Sequence, residues 1–295
     1  MPELPDIAVY CESIERELAG ATLHRILLPS VFVLRTVDPA AGAFEGRRLT
    51  RAVHLGKRVV LEFEGDLFAV IHLMIAGRFK WFSPRSKVPM SKFVLARFEF
   101  DRGTLVLTEA GTKRRASLHL LRGRDALAAH DPGGVDPLTC TLVEFSARLQ
   151  HENHTLKRAL ADPRSFSGIG NSYSDEILHR AKLSPLALSQ KLSATEVARL
   201  HDATHEVMGE WLQRLRTESA GKFPEKVTAF RAEMAVHGKF NQPCPVCGAL
   251  VQRIVYAENE CNYCPVCQTG GKLLADRALS RLLKSSWPKN VDELS

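Results

Sequence analysis

Cys244-Pro-Val-Cys247 and Cys264-Pro-Val-Cys267, sixteen residues apart, form two Cys-x2-Cys knuckles at the spacing of a four-cysteine zinc ribbon. Each knuckle turns two thiolates to one side. The intervening stretch is long enough for a β-hairpin that brings the pairs together around one tetrahedral ion. Pro243 and Pro265 stiffen the knuckles, and Gly248 follows the first. Cys261 leaves a second register open, in which Cys261 and Cys264 form the outer knuckle. The Cys264/Cys267 pairing is preferred because Pro265 and Gly270-Gly271 then fall at a knuckle and its exit turn. The expectation is one structural zinc held by Cys244, Cys247, Cys264 and Cys267, with Cys261 free.

The chain has 295 residues, 45% apolar and 25% charged, which fits a soluble protein of two or three modules. No run of eighteen apolar residues predicts a membrane span, and no charged n-region followed by an apolar h-region directs the chain to secretion. Seven cysteines, an odd number, fit a reducing compartment with one metal site better than a disulfide framework. Lys and Arg number 40 against 33 Asp and Glu, a formal charge of +7. That balance points toward a polyanionic partner, although many plain enzymes are as basic.

Met1-Pro2-Glu3-Leu4-Pro5-Asp6 places a proline after the initiator, where methionine is normally removed. Pro2 then becomes a secondary amine. Chain-terminal amines titrate near about 7.7–8.0, so part of the population is neutral and able to attack an aldehyde or sugar C1′. Glu3 is placed to act as acid or base. The same residues also read as a helix entry, with Pro5 in the first turn, Ile7, Val9, Tyr10, Ile14 and Leu18 along the helix, and Gly20 as its stop.

From Thr22 to about Thr108 the pattern alternates with period two, as in Arg58–Glu64, Leu67–Leu73 and Phe93–Phe100, with turns at Gly65-Asp66 and Arg102-Gly103. This predicts an antiparallel β-sandwich. Residues 131–138 read as a linker, and from about Thr141 to Thr217 the period is helical. Phe166–Glu176 contains Gly168, Gly170 and Asn171, with Asn171 predicted to cap the helix carrying Tyr173 and Glu176. The positive end of such a helix suits a phosphate. The fold class is α+β multidomain, divided as 1–130, 131–240, a ribbon at 241–270 and a C-terminal extension at 271–295.

Pro-Glu-Leu-Pro at the start, Gly-Ile-Gly-Asn-x-Tyr-x-x-Glu at Gly168–Glu176 and Tyr263-Cys264-Pro265 in the ribbon make the chain resemble the formamidopyrimidine-DNA glycosylase/endonuclease VIII family. The resemblance runs from Pro2 to about Gln268. It implies a helix–two-turn–helix domain at 131–240, and catalysis by Pro2 as nucleophile, Glu3 as proton donor and Lys57 of Gly56-Lys57 as a substrate contact. It further implies phosphate contacts from His72 and Asn171, and DNA contacts from Arg114 and Arg115. A base stacked in a duplex hides C1′, so an enzyme of this type must flip the nucleotide out. The implied activity is a bifunctional glycosylase/AP lyase for oxidised bases, cutting by β- or β,δ-elimination. Its expected partner is damaged double- or single-stranded DNA, met by a monomer in a bacterial cytoplasm near the nucleoid. The competing reading is a protein of the same fold that recognises abasic or distorted DNA without excising bases.

Two departures from the family pattern bear on DNA handling. Lys113-Arg114-Arg115-Ala116-Ser117 keeps the arginines but lacks the aromatic wedge, and His72-Leu-Met-Ile-Ala-Gly77 offers Met74 or Ile75 in its place. In the ribbon hairpin Asn259 stands where a phosphate-gripping arginine is expected, between Glu258 and Glu260. Arg253 on the other strand is the candidate substitute. Leu273, Leu274, Leu279, Leu282 and Leu283, with Arg277, Arg281 and Lys284, predict a short amphipathic helix ended by Trp287-Pro288; packing on the ribbon is the first expectation, with contact to DNA or to a partner as the alternatives.

Overall fold

The computed structural model describes residues 1–295 except 90, 112, 226, 229–230, 257–258, 276–287 and 295. The chain divides into two compact units, one formed by Met1–Pro132 with Trp211–Ala229 and the other by Gly133–Glu210 with Phe230–Ser295.

The first unit opens with helix α1 (Leu4–Leu18). Pro5 lies in its first turn, and Asp6 reaches back to accept from the Glu3 amide at 3.1 Å in a reciprocal box with the Glu3 side chain. Ile7, Tyr10, Ile14 and Leu18 are fully buried. Each aliphatic member of that stripe contributes about 1.5–3 kcal/mol by leaving water. Eight strands follow: β1 (Leu23–Leu27), β2 (Leu49–Leu55), β3 (Arg58–Phe63), β4 (Leu67–His72), β5 (Gly77–Phe82), β6 (Val94–Phe100), β7 (Gly103–Glu109) and β8 (Ser117–Arg122). They form two antiparallel four-stranded sheets, ordered β1-β6-β7-β5 and β2-β3-β4-β8. Both sheets and α1 share one core, as the alternating pattern predicts for a sandwich. The strand region extends past Thr108, because the short Ser117–Arg122 run, hidden behind a basic stretch, pairs with β4 from Leu67↔Arg122 to His72↔Ser117. Helix α2 (Arg124–Ala128) follows.

The second unit contains α3 (Leu142–Gln150), α4 (Leu156–Ala161), α5 (Asn171–Arg180) and α6 (Ala194–Ser219), whose residues from Trp211 onward group with the first unit. Thr141 caps α3 in a box with Glu144. The ribbon hairpin is β9 (Gln252–Tyr256) paired with β10 (Asn259–Tyr263), followed by α7 (Pro265–Thr269). Most of the predicted tail helix lies outside the described residues. The parts on either side return to the ribbon: Leu274 packs with Ile254, Cys261 and Tyr263, its amide donates to the Tyr263 hydroxyl at 2.8 Å, and Lys272 bridges Asn290.

Candidate DNA-processing site

In the first unit Pro2 and Glu3 are buried at the foot of α1, with Glu3 only 2% exposed. Partial burial holds the amine of the first residue below its ordinary value; Glu3 and Asp6 oppose that shift, while Arg78 and Lys57 reinforce it. That field acts on the amine of Met1, directly ahead of Pro2, with burial as its largest cause. Lys57 reaches this field from a two-residue hairpin turn, where Gly56 takes a positive φ of 60° between Leu55 and Arg58. The charges felt at the chain terminus are thus those of Glu3, Asp6, Lys57 and Arg78; sequence reasoning missed Arg78. Its only local signal is its place directly after Gly77.

Arg78 also braces the turn between β4 and β5. Its guanidinium donates to the carbonyls of Ile75 and Gly77 at 3.0 and 2.6 Å and to that of Val227 at 2.7 Å. The turn closes through the Gly77 amide on the Leu73 carbonyl at 2.8 Å. A Cβ at Gly77 would collide with that carbonyl, so glycine is required. Met74 sits in the left-handed region at φ 53°, and its amide donates to His72 Nδ1 at 3.0 Å. His72 is driven down to about 4 by burial, then by Arg58, Lys57 and His119. It is therefore neutral at pH 7, with its one proton on Nε2 as a donor.

Of the two wedge candidates, Met74 is half-buried and Ile75 is 60% exposed at the tip of the braced turn. Ala116 is buried, and its amide and that of Arg115 donate to the buried Glu109 carboxylate at 3.1 Å each. Arg114 and Arg115 are exposed, with Arg114 donating to the Lys92 carbonyl at 2.9 Å. Ile75 is thus the more exposed of the two wedge candidates. Replacing Ile75 by Ala is expected to slow base removal from duplex DNA about 10-fold or more, since unstacking costs a few kcal/mol per step, while sparing single strands. Excision rates for one lesion in both contexts check this, and equal losses in the two would rule Ile75 out as the wedge.

In the second unit, Gly168 takes a positive φ of 83°, and Gly170, not Asn171, occupies the N-cap of α5. This corrects the predicted cap. Asn171 is the first helical residue, and its side-chain amide donates to the Glu260 carbonyl of β10 at 2.9 Å. A partner 89 residues away takes the amide that local sequence would assign to a cap.

Beneath this helix start lies a network with no local sequence signal. Asp175, wholly buried, pairs with Lys157 Nζ at 2.6 Å and with His237 Nδ1 at 2.8 Å. The neighbouring Glu176 accepts from the amides of Ala235, Val236 and His237 at 2.7, 2.9 and 2.9 Å. Asp175→Ala would leave Lys157 and His237 without this buried carboxylate, a loss of about 3–5 kcal/mol. Denaturant unfolding should show it; a change below about 1 kcal/mol would mean that water replaces the carboxylate.

The four predicted cysteines cluster, with all sulfurs within 4.8 Å of one another. Cys247 and Cys264 Sγ lie 3.4 Å apart, and Cys244 and Cys267 Sγ 3.9 Å apart. A tetrahedral ion with about 2.3 Å Zn–S bonds separates its sulfurs by about 3.8 Å, so the residues fit zinc. Cys261 stands apart, buried beside Asp175, with burial first and that carboxylate second raising its thiol well above the ordinary value. The clustered set corresponds to the Cys264/Cys267 register. His179 Nε2 lies 3.3 Å from Cys244 Sγ, a partner that orients a ligand and that the sequence did not reveal. Asn259 is exposed, and Arg253 pairs with Glu260 at 3.2 Å and stacks on Phe240 with its guanidinium 4.3 Å from the ring centre. Among the described residues no helix is long and apolar enough to cross a membrane.

The formamidopyrimidine-DNA glycosylase N-terminal domain matches residues 1–117, and the H2TH domain of the same glycosylases matches residues 134–220. A Mycobacterium tuberculosis protein described as an uncharacterized formamidopyrimidine-DNA glycosylase-like protein is 40% identical over 151 residues, spanning 51% of this chain and 94% of that one. The chain belongs to the formamidopyrimidine-DNA glycosylase/endonuclease VIII family. The formamidopyrimidine-DNA glycosylase of Desulforamulus reducens is 29% identical over 283 residues, 91% of this chain and 99% of that protein. A Lactococcus lactis Fpg (MutM) solved with Fapy-dG-containing DNA superposes with TM-score 0.80 at 22% identity, covering 90% of this chain and all of the other. The same organism's Fpg with abasic-site DNA gives 0.79 at 22% identity, covering 90% and 99%. The sandwich, helical domain and four-cysteine cluster are those of the family fold.

Proposed function

We propose that this chain is a bifunctional DNA glycosylase/AP lyase that excises oxidised bases in base excision repair. The observation that carries the reading is the buried Pro2-Glu3 pair in the field of Lys57 and Arg78, in a chain of this family. Once Met1 is removed, the Pro2 nitrogen attacks C1′ of the damaged nucleotide. The glycosidic bond breaks and the base leaves with a proton from Glu3; the attached nitrogen then gives up its proton, the C1′–O4′ bond opens with O4′ taking a proton, and the iminium formed joins Pro2 to the ring-opened sugar. The iminium acidifies the C2′ proton; its loss breaks the C3′–O bond, and water then releases the enzyme.

Lys57 and the neutral Nε2–H of His72 hold phosphates beside the lesion, and Arg114 and Arg115 grip the backbone. An amide NH2 carries two donors, so Asn171 can hold Glu260 and a phosphate together. Zinc on Cys244, Cys247, Cys264 and Cys267 is structural. The partner is damaged DNA, duplex or single-stranded, bound by a monomer. With Ala116 buried and Asn259 in the place of an arginine, substrates already unstacked are preferred: abasic sites, ring-opened or saturated bases, bubbles and single strands. The same two residues favour the second reading, a binder of distorted DNA that excises poorly.

A panel of lesion-bearing duplexes treated with borohydride separates the two. Covalent adducts on oxidised bases and on preformed abasic sites support excision. Adducts on abasic sites alone support the second reading, and none on either overturns both.

A further inference from the structure

A second set of metal-binding side chains lies in the helical unit, away from the ribbon cysteines in sequence. Cys140 ends the turn that precedes α3; its amide donates to the Asp136 carbonyl at 2.9 Å, and Leu138 donates to the Asp136 carboxylate at 2.8 Å. His201 and His205 stand one turn apart on α6, so their rings share a face, with centroids 4.4 Å apart. Both Nε2 atoms converge on the Cys140 carbonyl at 3.1 and 3.0 Å, and the thiol lies 4.0 Å from His205 Nε2. The three donor atoms all fall within 4.8 Å of one another. Cys140 is buried, and both histidines are partly open to solvent, which gives an ion a way in.

Hydrogen-bond chemistry supplies the second, independent sign. His201 Nδ1 faces the Asp202 carboxylate at 3.1 Å, while its Nε2 faces the Cys140 carbonyl. Both oxygens are acceptors, and a neutral imidazole has a single N–H to give. Donation from Nδ1 to Asp202 leaves a lone pair on Nε2, the arrangement of a metal-ligating histidine backed by a carboxylate. A cation at the Nε2 end, whether a metal ion or the proton of an imidazolium, removes the conflict, and titration with metal tells them apart.

We infer that Cys140, His201 and His205 form a second, three-ligand zinc site with one open coordination position. Bonds of about 2.3 Å to sulfur and 2.0–2.1 Å to nitrogen set neighbouring donors about 3.3–3.6 Å apart, so donors that lie within 4.8 Å of one another draw closer to hold the ion. Thiolate plus two imidazoles suits zinc rather than magnesium or calcium. The ion joins the turn before α3 to the middle of α6, with the fourth position left to water.

The test uses the full chain, reduced, stripped of metal and titrated with zinc or cobalt(II). The wild type should take up one ion at the ribbon and a second at a weaker step, with thiolate-to-cobalt absorption in both steps. Cys140→Ser, His201→Gln and His205→Gln should each lose the second step alone. Glutamine keeps an N–H for the Cys140 carbonyl, so folding is preserved, and melting of the metal-free variants checks this. Asp202→Asn should weaken the second step about 10–100-fold, as removal of a ligand-orienting group does. Uptake of a single ion by the wild type, or a second step unchanged in the three ligand variants, would overturn the assignment and leave the histidines as hydrogen-bond donors to the turn.

Discussion

Protein that retains Met1 will give no borohydride-trapped adduct with abasic-site DNA, whereas processed protein of the same preparation will. With Met1 attached, the Pro2 nitrogen is a tertiary amide whose lone pair is delocalised into the carbonyl. It is neither basic nor nucleophilic, and the iminium has no route to form. The surroundings in the first unit suit the free amine. Burial first, with Arg78 and Lys57 acting against Glu3 and Asp6, lowers the Met1 amine there; Pro2, the next residue, is itself buried, and burial disfavours the ammonium form of an amine. Glu3→Gln retains the nucleophile and loses the proton donor. Base release should slow by about 10²–10⁴-fold, with cleavage at a preformed abasic site far less affected. Efficient trapping by protein whose Met1 is demonstrably present, read by intact-mass measurement of the adduct, would sink the proline mechanism.

What the sequence made legible follows how local each signal is. The ribbon was readable because its ligands come in pairs three residues apart, and the structure gathers those four sulfurs while burying Cys261 elsewhere. The α1 entry was readable because Pro5 sits in the first turn and the apolar stripe from Ile7 to Leu18 repeats at helical spacing. The sandwich followed from alternation, although β8 was too short and too close to a basic run to stand out. Asn171 misled because an asparagine after glycine reads as a cap, while its real partner is a carbonyl of the ribbon hairpin. Lys157, Asp175 and His237 meet only in the fold, across up to 62 residues of chain. Met74 and Ile75 could not be told apart by residue type; the positive φ of Met74 and the outward turn of Ile75 separate them.

Cys264→Ser should release one zinc, unfold the hairpin and abolish DNA binding while the first unit stays folded. The ribbon has a small apolar interior: Val236, Cys244, Val251 and Cys264 make up the buried cluster around the knuckles, two of them cysteines of the four-sulfur cluster, and Ile254, Cys261 and Tyr263 form a second. So small a core cannot offset the entropy of ordering some thirty residues at about 1–2 kcal/mol each. Zinc contributes about 10–16 kcal/mol in comparable small modules. Contacts outside the hairpin supply a lesser part, through Gln268, which accepts from the Cys264 amide at 2.8 Å and donates to the Leu183 carbonyl at 2.9 Å. Those contacts depend on the knuckle keeping its shape, so they should fail with it. Cys261→Ser is the matched control: it changes a buried thiol three residues away but removes no ligand. Hydrogen exchange should show protection of residues 241–270 lost in the first variant and kept in the second, with the amides of β3 and β4 unchanged in both. If Cys261→Ser also released the metal, or if Cys264→Ser kept both hairpin protection and DNA affinity, then the ion would not be what holds this module, and the four-cysteine assignment would fall.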